Sequence, residues 1–223
     1  MFFSNYLLII FSLGNNDITA NSEQISETQF HEQAHAAHYN KVGNSWYTSF
    51  VNAELSEMLT SQPPYGNGSN SNSPIIALGE SWAYHTGHFM ADMKYGANSA
   101  GAREQGIFYG NGPIFEGIFE VANTGLNAHL NLLEDFSPNR INDDFPWIPQ
   151  GLFYDLMDTR NDATATPIRV NLVDNVFGYT NQQFFNALDA DISSLPIYRS
   201  RLLNENGNNQ AAGVTSIFNF YGY

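Results

Sequence analysis

Residues Ser26-Glu-Thr-Gln-Phe-His-Glu-Gln-Ala-His-Ala-Ala-His-Tyr39 carry the pattern from which the rest of this 223-residue chain is read. Ser26 followed by Gln29 matches a capping box, in which a hydroxyl and a side-chain amide satisfy the first free backbone N–H groups of a helix. The pattern predicts a helix from Ser26 to about Asn40, with Gly43 just past its end. Side chains four apart share one helical face. His31 and His35 therefore offer imidazoles from adjacent turns, and Glu32 stands beside them.

Working outward, Ser45 is placed to cap a second helix carrying Trp46, Phe50, Leu55 and Leu59. The stretch from Ser61 to Pro74 is rich in Pro, Gly, Asn and Ser and reads as loop. A third helical pattern runs from about Ile75 to Lys94. Residues 96–112 read as loop and 113–135 as helix, and 138–149 are broken by Pro146 and Pro149. A short helix is expected over 151–158 and a strand over 168–173. Thr180 caps a helix holding Phe184, Phe185, Leu188 and Ile192. Pro196 opens another with Tyr198, Leu202 and Leu203, and 214–223 read as an aromatic docking helix. The fold class is mainly α, allowing one or two short strands near the start. Residues 1–25 form an N-terminal segment, read equally well as a weak signal sequence or as a strand remnant. Residues 26–223 form a single helical domain.

Composition narrows the function classes. The chain has 22 Asp and Glu against 8 Lys and Arg, so it offers no basic stripe to nucleic acid. The short apolar run near residues 6–13 is too short for a transmembrane span. There is no cysteine, so any metal must be held by His, Asp or Glu. The 17 Phe, 12 Tyr and 3 Trp are mostly expected in the core.

Two histidines one turn apart with an adjacent glutamate suit a zinc hydrolase. The metal acidifies a bound water and the carboxylate takes its proton. A catalytic zinc needs a third protein ligand and an open position. Glu80, in Gly79-Glu-Ser-Trp-Ala-Tyr84, can supply the third from another helix. Its bland reading is an acid favoured at a helix start. His38 shares the face of His31 and His35 but lies too far along the axis, and it reads as a packed or supporting histidine. Tyr84 and His88, close to the face of Glu80, are candidate donors to a developing oxyanion, each also readable as plain core. His85 follows Glu80 on the same helix, and His129 and Tyr154 are weaker candidates. Asp155 or Asp158 can orient a ligand histidine.

His31-Glu-Gln-Ala-His35 followed by Glu80-Ser-Trp-Ala83 resembles the gluzincin zinc peptidases, whose third ligand is a glutamate on a later helix. The run 30–39 with Val42-Gly-Asn-Ser-Trp46, the stretch 79–84 and the stretch 148–156 are also similar to zinc-peptidase-like proteins of Bacteroidetes-type bacteria. The likeness covers much of residues 28–160. It implies a zincin-like catalytic domain that hydrolyses peptide bonds, with Zn2+ on His31, His35 and Glu80 and with Glu32 activating the water. The substrate is then a peptide or protein, and the location extracytoplasmic or secreted. The chain departs from the thermolysin-like branch at Tyr84, where that branch has an aspartate, and in the 45 positions from His35 to Glu80. The metzincin pattern fails, since it wants Gly at 38 and His at 41 where this chain has His38 and Lys41. The alternative to an enzyme is a catalytically inactive zinc-binding surface or scaffold domain.

Overall fold

A computed structural model describes residues 22–60, 65–66, 68–95, 147–149, 151–157 and 175–223. Among these residues the chain is helical, with no strand. The elements are α1 (Ser22–Val42), α2 (Asn44–Thr60), α3 (Ser73–Tyr95), α4 (Leu152–Met157), α5 (Asn181–Asn186), α6 (Leu195–Glu205) and α7 (Ala211–Phe220). The N-terminal apolar run, the helix expected over 113–135 and the strand expected over 168–173 lie outside the described residues.

α1 begins one turn earlier than its capping motif suggests. Ser26 is buried inside the helix, and its hydroxyl accepts a hydrogen bond from Lys94 Nζ at 3.1 Å. The far end follows the sequence. Gly43 has φ +82° and its N–H donates to the carbonyl of Tyr39 at 2.8 Å. A side chain is strained in that left-handed conformation, so glycine is what lets α2 start one residue later. α3 begins where Asn70 gathers the turn: its Oδ1 accepts from Asn72 N at 2.9 Å and Ser73 N at 3.2 Å.

The principal pairing is α1 along α3, with α2 folded back against both. Ala34, Ala77 and Ala83 are buried in this core and their small size suits close helix approach. On α2 the inward residues are Trp46, Tyr47, Phe50, Ala53 and Glu57, whereas Leu59 is 80% exposed. Of the four residues read on this helix, Trp46 and Phe50 are thus packed and Leu59 is not.

The other side of α3 meets α4 and α6, and α7 packs on both of those. Leu152, Phe153, Leu156, Tyr198, Leu202 and Phe218 are fully buried there. Polar ties join the two halves. Trp46 Nε1 donates to the carbonyl of Ile192 at 2.6 Å, and Lys41 Nζ reaches the carbonyl of Asn186 at 2.7 Å and Asp189 at 3.0 Å. Among the described residues no helix is long and apolar enough to cross a membrane.

Candidate metal centre

The facing surfaces of α1 and α3 hold the one group of side chains among the described residues suited to an ion. The helical period puts His31 above His35, and Glu80 enters from α3. His31 Nε2 and His35 Nε2 are 3.1 Å apart. Glu80 Oε1 lies 3.1 Å from His35 Nε2, and Glu80 Oε2 lies 3.4 Å from His31 Nε2. All three residues are buried, at 5%, 8% and 1% exposure.

Three donor atoms within 4.8 Å of one another can hold a metal ion. The spacing can be tested against coordination chemistry. Zinc bonds of ~2.0–2.1 Å to nitrogen or oxygen, arranged tetrahedrally, set their donors about 3.3 Å apart. The two imidazole nitrogens, 3.1 Å apart, and the 3.1 Å from His35 Nε2 to Glu80 Oε1 are close to such edges, whereas the 3.4 Å from His31 Nε2 is to the other carboxylate oxygen, Oε2.

The electrostatics are those of a paired acid and base. Burial works against ionising Glu80, but the charge of His35 and hydrogen bonds from both histidines outweigh it and hold the carboxyl well below the usual range. Burial likewise opposes charging His35, and the neighbouring Glu80, aided by the charge of Glu32, raises its pKa nonetheless. The Glu80 carboxylate lies within reach of both imidazoles, and a metal ion held there would compete with protons for the same donor atoms.

Comparison with protein-family models, curated proteins and solved structures gave no match. The case for the site is therefore its geometry.

Around the three donors, Glu32 is half-buried, and its charge is felt at His35, Glu54, Tyr47 and Tyr65. The ring of Tyr84 sits edge-on to His31, with centroids 4.6 Å apart. His88 lies on α3, but its side chain is outside the described residues, as are His129 and Asp158. His85 turns away from the group: its Nε2 meets Asn181 Oδ1 at 2.7 Å, and its ring lies 4.8 Å from that of Tyr154. Asp155 is fully buried on α4. His38 is also fully buried, its ring 4.3 Å from that of Trp46, and it is not among the grouped donors. Burial, then the charges of His35 and Lys41, lower its pKa to about 3.

Two residues that the sequence did not single out also reach the site. On Glu54 of α2, burial followed by the charge of Glu80 pushes the carboxyl well up. Tyr65, in the loop between α2 and α3, has its phenol held protonated by burial and by the charges of Glu80, Tyr84, Glu54 and Glu32, in that order. Glu54 had one legible signal: it follows Phe50 by one helical turn and so shares its inward face. Tyr65 had none, because a loop carries no period.

Proposed function

We propose that this chain is a zinc-dependent peptidase of the gluzincin type, with a zincin-like helical core. The observation that supports it best is the convergence of His31, His35 and Glu80, all buried, with one donor atom from each within 4.8 Å of the others. Zinc held there would supply Lewis acidity, polarising the scissile carbonyl and making water a nucleophile near neutral pH. The chain's own groups do the rest. Glu32, next to His31 on α1, takes the proton of the attacking water and passes it to the leaving amine. Tyr84, edge-on to His31, and the protonated phenol of Tyr65 are the neutral donors on hand for charge developing on the carbonyl oxygen.

The low exposure of the three donors favours a second reading, a zinc-binding scaffold without turnover. Against it, structural zinc sites almost always have four protein ligands, and three are grouped among the described residues.

The deciding experiment is Glu32→Gln. Zinc content is measured by mass spectrometry of the purified proteins, and cleavage is followed on a mixed peptide library. The wild-type chain should bind one zinc and cleave. The variant should keep the zinc and lose on the order of 10²–10⁴-fold in rate, the usual worth of a general base. Undiminished cleavage by the variant refutes the mechanism, and zinc without cleavage in the wild type selects the scaffold.

A further inference from the structure

Tyr65 stands in the loop ahead of α3, and a loop keeps a side chain in place only as firmly as it is itself held. This loop is held from two sides. On one, Gly66 runs against Glu57 of α2, where an added Cβ would lie 2.9 Å from Glu57 Cδ. Glu57 is buried, and its Oε1 accepts from Asn72 Nδ2 at 2.7 Å. On the other side, Trp147 Nε1 donates to the carbonyl of Gly66 at 3.0 Å. Gly68 lies so close to the same indole that a Cβ there would meet Trp147 Cγ at 2.6 Å and Cβ at 2.8 Å. An indole offers a donor and no acceptor, so Trp147 can hold the loop but cannot ligate an ion. Tyr65 and Trp147 pack against one buried cluster of Ala53, Ile76, Tyr84 and Ile148. Within that cluster it is the Tyr84 ring that stands edge-on to His31, 4.6 Å away.

We infer that Trp147 is a positioning residue for the proposed hydrolysis, clamping the loop at Gly66 and Gly68 so that the adjoining Tyr65 keeps its phenol on the Tyr84 side of the metal centre, as a hydrogen-bond donor to the substrate's carbonyl oxygen. The inference rests on the peptidase reading of that centre. A donor to developing charge is effective only when it is already in place, about 2.7–3.1 Å from where the oxyanion forms. A displacement of about 1 Å can cost on the order of 10²-fold in rate. A loop released from Trp147 would have to be ordered again at each turnover, at an entropic cost. The clamp spares the reaction that ordering. It also ties the Tyr65 hydroxyl to a residue 82 positions further along the chain.

The test is a double-mutant cycle. Trp147→Phe keeps a ring against Gly68 and removes the donor, and Tyr65→Phe keeps the ring and removes the hydroxyl. kcat and KM are measured on a peptide from the mixed library that the wild type cleaves, and Zn2+ affinity by chelator competition. Hydrogen–deuterium exchange over residues 65–72 follows the loop in the metal-free proteins. Tyr65→Phe should lose on the order of 10²–10³-fold in kcat with KM little changed. Trp147→Phe should lose at least about tenfold in kcat, exchange faster over 65–72 and bind Zn2+ as the wild type does. In the Tyr65→Phe background, Trp147→Phe should cost almost nothing further, because it acts through the hydroxyl already removed. Tyr223→Phe removes the hydroxyl that donates to the Trp147 carbonyl at 2.6 Å. It loosens the same clamp and replaces Trp147→Phe in the cycle should that variant fail to fold. Fully additive losses, or a kcat or loop exchange unmoved by loosening the clamp, overturn this inference and leave the peptidase reading standing. An undiminished kcat in Tyr65→Phe does the same. A wild-type chain that takes up no zinc, or takes it up and cleaves nothing, overturns the peptidase reading and this inference together.

Discussion

Gly79→Ala puts two opposing effects on one methyl group. The glycine lies within α3, where alanine is the better helix former by about 0.8–1 kcal/mol. The added Cβ, however, would meet the Phe50 ring at 2.9 Å from Cδ2 and Cζ, and closer still to Cε2. Carbon atoms sit comfortably at about 3.5–4.0 Å, so the ring or the helix must give by at least about half an ångström. Phe50 has little room, being 2% exposed with its centroid 5.3 Å from Tyr47, 5.4 Å from His35 and 5.6 Å from Trp46. Overpacking of this kind costs about 1–3 kcal/mol. It exceeds the propensity gain, for a net loss of up to about 2 kcal/mol. The second consequence is at the metal centre. Either Phe50 pushes on His35 or α3 carries Glu80 away, and coordination distances tolerate only about 0.2 Å. Zinc affinity should fall at least about tenfold. Urea unfolding of the metal-free protein reads the first effect and chelator competition the second. Adding Phe50→Leu should recover part of both losses, since the two sites are in contact and their effects do not add. A Gly79→Ala protein that is more stable by about 1 kcal/mol, with unaltered zinc affinity, would refute the close approach of α2 and α3.

Two further outcomes are expected. The folded pKa of His38, about 3, lies below the 6.5 of an unperturbed histidine. The unfolded chain therefore takes the proton first. Stability from this group is intact above pH 6.5 and is lost, at about 1.4 kcal/mol per pH unit, as pH falls towards 3. Urea unfolding of metal-free His38→Leu across that range should show a flatter acid limb than wild type, and parallel curves would contradict the buried neutral imidazole. Trp46→Phe removes the 2.6 Å donor to the Ile192 carbonyl and leaves a buried acceptor unmet. It should cost about 1–3 kcal/mol, read as a lower urea midpoint with an unchanged slope.

The fold was legible where local chemistry decides it. Thr180 and Gln183 form the full reciprocal capping box at the start of α5. Ser26 and Gln29 show the same spelling but fall inside a helix that has already begun at Ser22, because a cap motif offers bonds and does not oblige the chain to need them. Leu188 and Ile192 were expected on the helix that Thr180 opens. That helix ends at Asn186, yet both side chains are buried. Hydrophobicity reported their destination but not the backbone that takes them there, and Trp46 satisfies the Ile192 carbonyl instead of a helical N–H. On α2, Glu57 points in because it has a partner. That partner, Asn72, belongs to the turn before α3. The same asymmetry holds at the site. His31 and His35 were readable from the helical period, and Glu80 from the Gly79-Glu-Ser-Trp-Ala83 stretch around it. Glu54 and Tyr65 join only through tertiary packing.

The loop that brings Tyr65 to the site is moored from far along the chain. Trp147 Nε1 donates to the carbonyl of Gly66 at 3.0 Å, Tyr223 OH donates to the carbonyl of Trp147 at 2.6 Å, and Arg199 Nη1 holds the carbonyl of Tyr223 at 3.2 Å. The three grouped donors all lie between positions 31 and 80, so on the ribosome they emerge long before these moorings. Contacts of such wide sequence separation form late, after the local helices. The grouping of the three donors and the mooring of the loop that carries Tyr65 are thereby separated in time, since the second waits for the last residues of the chain.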